Sequence, residues 1–440
     1  MKRIQLQKNL DKLLSHLDSF RDTMPMTILL LSPYQKKSLK DFKSFVKKNI
    51  DEIEDGEKNK SVSVKHEDSK NFNELSRNVK TSILASKIIT ESLFVSLLTQ
   101  YDAFTNKLLK TLFAIRPECI NTSDSILSFA QLSEFTSIEK ARTYIIEKEI
   151  ETVLSKSHHE QFDYIEKKLN LKLVTNLPIW KTFIEITQRR NLFVHSDGIV
   201  NSEYLEICKA HNCELEDIKL NQRLVTKIDY FIRAYDCLYE LSTKLTHTIW
   251  RELLINDFKS ADQELNAICF DLMVSEQYNL SDELLEYAVN QSKHYNESTK
   301  RIFIINRALS LYLQDKIEEA KKIIINKDWS ASSDNFKLAS LIIFENYEGA
   351  CQIMLKIGDH GEVNKENYRS WPLFYKLRSE KIFKKTFKKI FNEKYNTLEI
   401  PKKPIQKLIS ILIKEDPELK SKTIKKQRLK KEKNELNAQS

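Results

Sequence analysis

Five glycines and eight prolines are all that punctuate these 440 residues. A chain so poor in turn formers cannot supply the many tight reversals of a sandwich, a barrel or a doubly wound sheet. Between those few breakers, apolar residues recur at intervals of three and four, and the two observations together predict an all-α protein. The same scarcity bears on function. Neither G-x-x-x-x-G-K-[ST] nor G-x-G-x-x-G occurs, so ATPase and dinucleotide-binding readings lose the glycine loop that would cradle a phosphate. A chain of this length has room for two or three separate cores.

Taken in order, Ile4, Leu6, Leu10, Leu13, Leu14, Leu17 and Phe20 predict a helix that Pro25 ends. Thr27 to Leu31 is a short apolar run, readable as a strand or a buried helical turn. Leu39, Phe42, Val46 and Ile50 define another helix, with six lysines between positions 36 and 48. Residues 51–78 are polar and read as a linker or a loop with a brief Val62/Val64 alternation. A long helix is expected from Val79 to Ile115, with a stripe at Leu97, Tyr101, Phe104, Leu108 and Leu112, stopped by Arg116-Pro117. After a Ser/Thr-rich loop over 118–136, Ser137 or Thr136 is placed to cap a helix running to Val153. His158-His159 read as a polar surface turn, Phe162 to Leu171 as a helix, and 203–216 as a connection. Leu224, Ile228, Phe231, Tyr235, Leu238, Leu245 and Ile249 keep near-heptad spacing and predict a last bundle helix, packed on the 97–112 stripe.

The helix expected after Pro178 carries the chemistry. Phe183, Ile184, Ile186, Leu192, Phe193 and Val194 give it an apolar frame, and the Ser196-Asp197-Gly198 turn ends it. Within it, Arg190, Asn191 and His195 bring a permanent cation, an amide and an imidazole into one and a half turns. Asn191 and His195, four apart, share a face. Arg190-Asn191-x3-His195 resembles the R-(N/D/H)-x3-5-H signature of HEPN domains, small α-helical modules of which many are metal-independent ribonucleases in bacterial toxin and antiviral systems. The resemblance extends to an apolar residue directly before His195 and a glycine turn soon after. Tyr101-Asp102 on the long helix also resembles these proteins, and Asp102 is the candidate to hold the Arg190 guanidinium through paired hydrogen bonds. The resemblance covers residues 79–253.

It implies an endoribonuclease in which the RNA 2′-hydroxyl is the nucleophile, His195 moves protons, Arg190 stabilises phosphate charge and Asn191 orients either partner. One imidazole cannot comfortably be base and acid at once, and the resemblance implies a twofold homodimer that brings two copies of His195 to one cleft. No cofactor or metal is expected: no carboxylate cluster lies near the motif, and Cys208, His211 and Cys213 lack a fourth zinc ligand. The six cysteines, without C-x-x-C spacing, suit a reducing compartment, and with no signal peptide or membrane span in view the expectation is a cytoplasmic protein without membrane contact.

Beyond residue 253 the texture changes. Ala288, Ala320 and Ala350 recur between apolar helices, as in degenerate tetratricopeptide-type repeats, although the turn glycines of such repeats are missing. The expected organisation is therefore an N-terminal helical segment over 1–78, a HEPN-like bundle over 79–253, a short α-solenoid over 257–395 that could hold a protein partner, closed by a helix opening at Trp371-Pro372-Leu373-Phe374, and a basic tail over 396–440. Of the formal net charge of +9, +7 lies between Lys420 and Lys433, so the body has no general attraction for nucleic acid and must bind RNA through a local patch. The competing reading is a non-catalytic helical dimer that recruits protein, with Arg190 and His195 as a buried pair at its interface.

Overall fold

A single helix replaces the three elements expected at the N-terminus. The computed structural model describes residues 2–53, 61–120, 127–174, 177–215, 217–325, 327, 329, 333–361 and 363–395. In it α1 runs unbroken over Lys2–Asn49, with Pro25 and Pro33 inside. Each proline removes one backbone hydrogen bond, a local cost of about 3 kcal/mol. The antiparallel partner overrides it: α2, Ser69–Ile115, lies along α1, with Asn9 Nδ2 3.1 Å from Thr111 Oγ1, His16 Nδ1 2.6 Å from Gln100 Oε1, and Phe45 against Phe72 with ring centroids 6.2 Å apart. Packing along a whole helix outweighs a local preference. The connection read as a linker is a two-stranded antiparallel hairpin, β1 Ile50–Ile53 and β2 Ser61–Val64, and α2 starts ten residues before the expected Val79.

The short helix α3, Phe129–Ser133, then leads to α4, Ile138–Leu154, whose first turn is capped by Ser137 as expected. There follow α5 His158–Leu169, α6 Trp180–His195, α7 Ser202–Ala210 in the expected connection, and α8 Ile228–Leu253. The remaining helices are α9 Phe258–Val274, α10 Tyr278–Val289, α11 Glu297–Leu313, α12 Ile317–Ile325, α13 Asp334–Ile343, α14 Tyr347–Ile357, α15 Lys365–Ser370 and α16 Lys381–Phe391. Pro372–Phe374 forms only one 3-10 turn, and the closing helix is α16. The protein is all-α apart from the small hairpin. The basic tail lies outside the described residues.

No break separates the expected segments 1–78, 79–253 and the first repeats. Leu6, Leu10 and Leu17 of α1, the expected stripe of α2, Phe183 of α6, Phe231 and Trp250 of α8 and Leu265 of α9 belong to one buried cluster. The chain divides instead into Met1–Ile323 and a second unit from Ile324 onward. The cause is α1: its apolar face needs a partner, and α2 and α8 supply it.

The repeat helices explain the missing glycines. At the ends of α9, α11 and α13 one turn recurs: Gln277 N bonds Leu272 O at 2.8 Å, Lys316 N bonds Leu311 O at 3.0 Å and Asn346 N bonds Leu341 O at 2.9 Å. The residue in left-handed backbone is acidic each time, Glu276, Asp315 and Glu345, with φ of 61°, 60° and 59°. Aligned on that turn, the small buried residue five positions later is Ser281, Ala320 or Ala350. Ala288, also fully buried, stands two helical turns beyond the equivalent place, so the true first repeat position is Ser281. Because an L-residue in this region is disfavoured by about 1 kcal/mol, Glu276→Gly and Glu345→Gly are each expected to stabilise their own unit by about 0.5–1 kcal/mol, read as a higher urea midpoint.

Behind α8 lies a cluster with a pH consequence. His247 is fully buried, stacks on Trp250 at 5.8 Å between centroids, and neither ring nitrogen has a partner among the described residues. Burial, then the neighbouring Arg251, pushes its pKa down to about 3. The folded state therefore resists the proton that the unfolded chain takes up below about 6.5. Stability from this group is whole above that pH and falls as the pH drops toward 3, by about 5 kcal/mol in all. His247→Leu is expected to flatten the urea midpoint between pH 7 and pH 5 relative to the parent chain; an unchanged slope sinks the assignment.

Candidate functional site

Helix α6 is fixed first by aromatic packing. Phe183 meets Tyr101 of α2 with ring centroids 5.2 Å apart, Trp180 meets Phe162 of α5 at 4.8 Å, and Phe193 meets Phe94 of α2 at 5.7 Å. A buried polar group then sets its rotation. Glu185 accepts Arg189 Nε at 2.8 Å, the Tyr204 hydroxyl at 2.7 Å and the Tyr230 hydroxyl at 2.7 Å, and the Arg189 guanidinium lies 3.8 Å from the Tyr230 ring centroid. Burial, followed by the Glu185 carboxylate, pushes both tyrosine hydroxyls far above their ordinary range, which keeps them protonated as donors.

The C-terminal end of α6 is pinned as tightly. Ser196 N and Gly198 N both bond Leu192 O, at 2.8 and 3.0 Å, and Gly198 takes φ +75°. A Cβ there would stand 2.9 Å from the Phe193 ring and 3.2 Å from Leu224 O, so the turn requires glycine. Arg223 clamps it, gripping Glu91 of α2 through both terminal nitrogens at 3.1 and 3.2 Å and Asp197 at 3.2 Å. That hydrogen bond holds the Asp197 carboxyl below the usual carboxylate range. Sequence, turn and clamp together fix where His195 stands.

Asp102 comes beside Arg190 as the sequence predicts, but not by a bidentate grip, and Asn191, expected to orient His195 or phosphate, bonds Arg190 instead. Asp102 Oδ2 lies 3.7 Å from Arg190 Nη2, an ion pair without a short hydrogen bond, and Arg190 Nη1 donates to Asn191 Oδ1 at 3.1 Å. The other oxygen of Asp102 bonds His158 Nε2 at 2.8 Å. His158 was expected on the surface; its side chain keeps only 12% exposure, with its ring against Tyr101 and Phe183. The signal was present in the spacing: His158, Phe162, Ile165 and Leu169 follow one another by four, three and four along α5, so His158 starts its buried face. Neighbouring helical residues point about 100° apart, and His159 accordingly turns away, its ring 5.1 Å from that of His211.

His195 stands apart from this cluster. It is exposed, with no hydrogen bond to any described residue, and with Asn191 it lines a polar cleft of 210 Å³ between the end of α6 and the start of α7, whose other walls include Gln188, Asn201, Glu203 and Tyr204. Arg190 reaches the cleft through Asn191. Its Nε is buried and has no acceptor among the described residues, and Arg190 itself does not line the cleft.

Of the cysteine group, Cys208 is buried, Cys213 Sγ donates to Lys181 O at 3.2 Å, and His211 sits with His159. Among the described residues no three His, Cys, Asp or Glu side chains gather as a metal-holding set. Comparison with protein-family models, curated proteins and solved structures finds no match to this chain.

Proposed function

We propose that the chain is a metal-independent endoribonuclease of HEPN type. The observation that carries the reading is the cleft, where an unengaged imidazole meets an amide that accepts from the Arg190 guanidinium, with Asp102 beside that guanidinium and His158 bonded to Asp102. In the proposed reaction a ribose 2′-oxygen loses its proton to one imidazole and forms the bond to phosphorus. The bond from phosphorus to the 5′-oxygen breaks, and a second imidazole supplies that oxygen with its proton. Arg190 meets the charge that develops on the phosphoryl oxygens.

His158 is engaged by Asp102 and largely enclosed, so it acts as a positioning residue and not as the second proton carrier. A second copy of His195 fills that place in a twofold homodimer. Support comes from exposed aliphatic side chains at the end of α6 and in the segments that follow it: Val194, Ile199 and Val225 are 46%, 42% and 46% exposed, the kind of surface that a partner subunit covers. A role in bacterial toxin or antiviral systems rests on the motif resemblance alone.

The products decide the reading. Incubation with end-labelled RNA should yield a 2′,3′-cyclic phosphate and a 5′-hydroxyl in chelator-treated buffer, and the DNA of the same sequence should stay whole; equal cutting of DNA sinks the mechanism. The second reading, a non-catalytic adaptor, draws on the recurring turn of the repeat helices. A wild-type chain that leaves RNA intact as a dimer and captures one defined protein through residues 257–395 favours it.

A further inference from the structure

The continuous α1 creates a surface that a break at Pro25 would have hidden. Of residues 25–49 only Ser38 and Phe45 are buried, so this half of the helix is covered on the α2 side and open on the other. Met26, Leu29 and Leu30 stand 63%, 72% and 78% exposed, far more than scattered surface aliphatics need. At about 100° per residue they share an arc of about 140° with Lys36, Lys37, Lys40, Lys43 and Lys47, and the arc excludes Asp41, the sole acid of that stretch. The lysines are all exposed. From Met26 to Lys47 the face measures about 32 Å at 1.5 Å per residue.

We propose that this face of α1 docks peripherally on an anionic lipid bilayer, its aliphatic end entering the headgroup boundary and its lysine end lying over acidic headgroups. Charge complementarity selects the occupant. A parallel second copy of the same face would bring two lysine rows together, and an antiparallel copy would set each lysine end on the other's aliphatic end. RNA would engage the lysines and leave Met26, Leu29 and Leu30 in water, with no aromatic ring in the arc on which a base could stack. A bilayer satisfies both ends. Such contact needs no membrane span, and it is independent of the ribonuclease reading.

The test is co-sedimentation of the full chain with vesicles of phosphatidylcholine alone and of phosphatidylcholine mixed with phosphatidylglycerol. Two variants accompany it, Leu29→Ser/Leu30→Ser and Lys36→Glu/Lys37→Glu/Lys40→Glu, all exposed positions, with melting curves to verify folding. The basic tail is the same in every protein, so its attraction cancels in the comparison. The expected result is capture by the mixed vesicles only, weakened at least about tenfold in each variant. Equal capture by both vesicle types, no capture, or a serine variant that binds like wild type overturns the proposal. So does a serine variant that changes only the oligomeric mass, which makes the face a self-association surface. A fluorescent RNA displaced by the glutamate substitutions but indifferent to the serines also overturns it, in favour of a nucleic-acid surface.

Discussion

His195→Ala is expected to lose at least about 100-fold and up to about 10,000-fold in RNA cleavage, the usual contribution of one positioned acid–base group, while dimer mass and melting temperature stay within error of wild type. The structural basis for that separation is specific. His195 is exposed and bonds no described residue, so removing the ring leaves no orphaned buried partner. Asp102→Asn should act differently. It keeps the shape at His158 but weakens the ion pair with Arg190, and its deficit should fall on the chemical step, measured in single-turnover reactions at saturating RNA, more than on RNA affinity. A His195→Ala protein that cuts as fast as wild type places the chemistry elsewhere.

The second large effect concerns stability. Glu185→Ala should destabilise the first unit by about 3–5 kcal/mol, because it strands the Arg189 charge in a closed environment and takes the acceptor from two tyrosine hydroxyls. Side-chain exposures of 7% for Glu185 and 10% for Arg189 leave water little access to repair the loss. The control is the double replacement Glu185→Leu/Arg189→Leu, which removes both charges and should unfold at a urea midpoint closer to wild type than Glu185→Ala does. If the double replacement is the worse of the two, Glu185 works through its tyrosines, and Tyr204→Phe/Tyr230→Phe should then reproduce the loss.

Much of this architecture could be read from periodicity. The α2 stripe, the α8 heptads and the frame of α6 all follow from apolar residues at helical spacing; the α2 stripe is buried throughout, while Ile228 at the start of α8 and Val194 near the end of α6 are exposed. Asp102 also stands beside Arg190, although without the paired hydrogen bonds expected. The misreadings have physical causes. Pro25 reads as a stop because its cost is local, whereas the α2 contact that outweighs it is made with residues tens of positions away. His158 reads as surface because adjacent histidines cannot face one site from a helix, yet it heads the 158-162-165-169 face. The repeats were aligned on alanine alone; the left-handed acidic residue, which fixes the turn, becomes visible only with the backbone.

The unbroken first helix also has a mechanical meaning. Near its start Arg3 reaches Asp257 and Ser260, and Gln7 reaches Glu264 of α9; at its far end it feeds the β-hairpin. At 1.5 Å per residue its 48 residues make a strut about 70 Å long. A load applied at the hairpin is delivered to the first repeat helix with little give except at Pro25 and Pro33, where the ladder lacks a rung. Amides flanking those two places should exchange with deuterium sooner than those around them, marking the yield points of the rod.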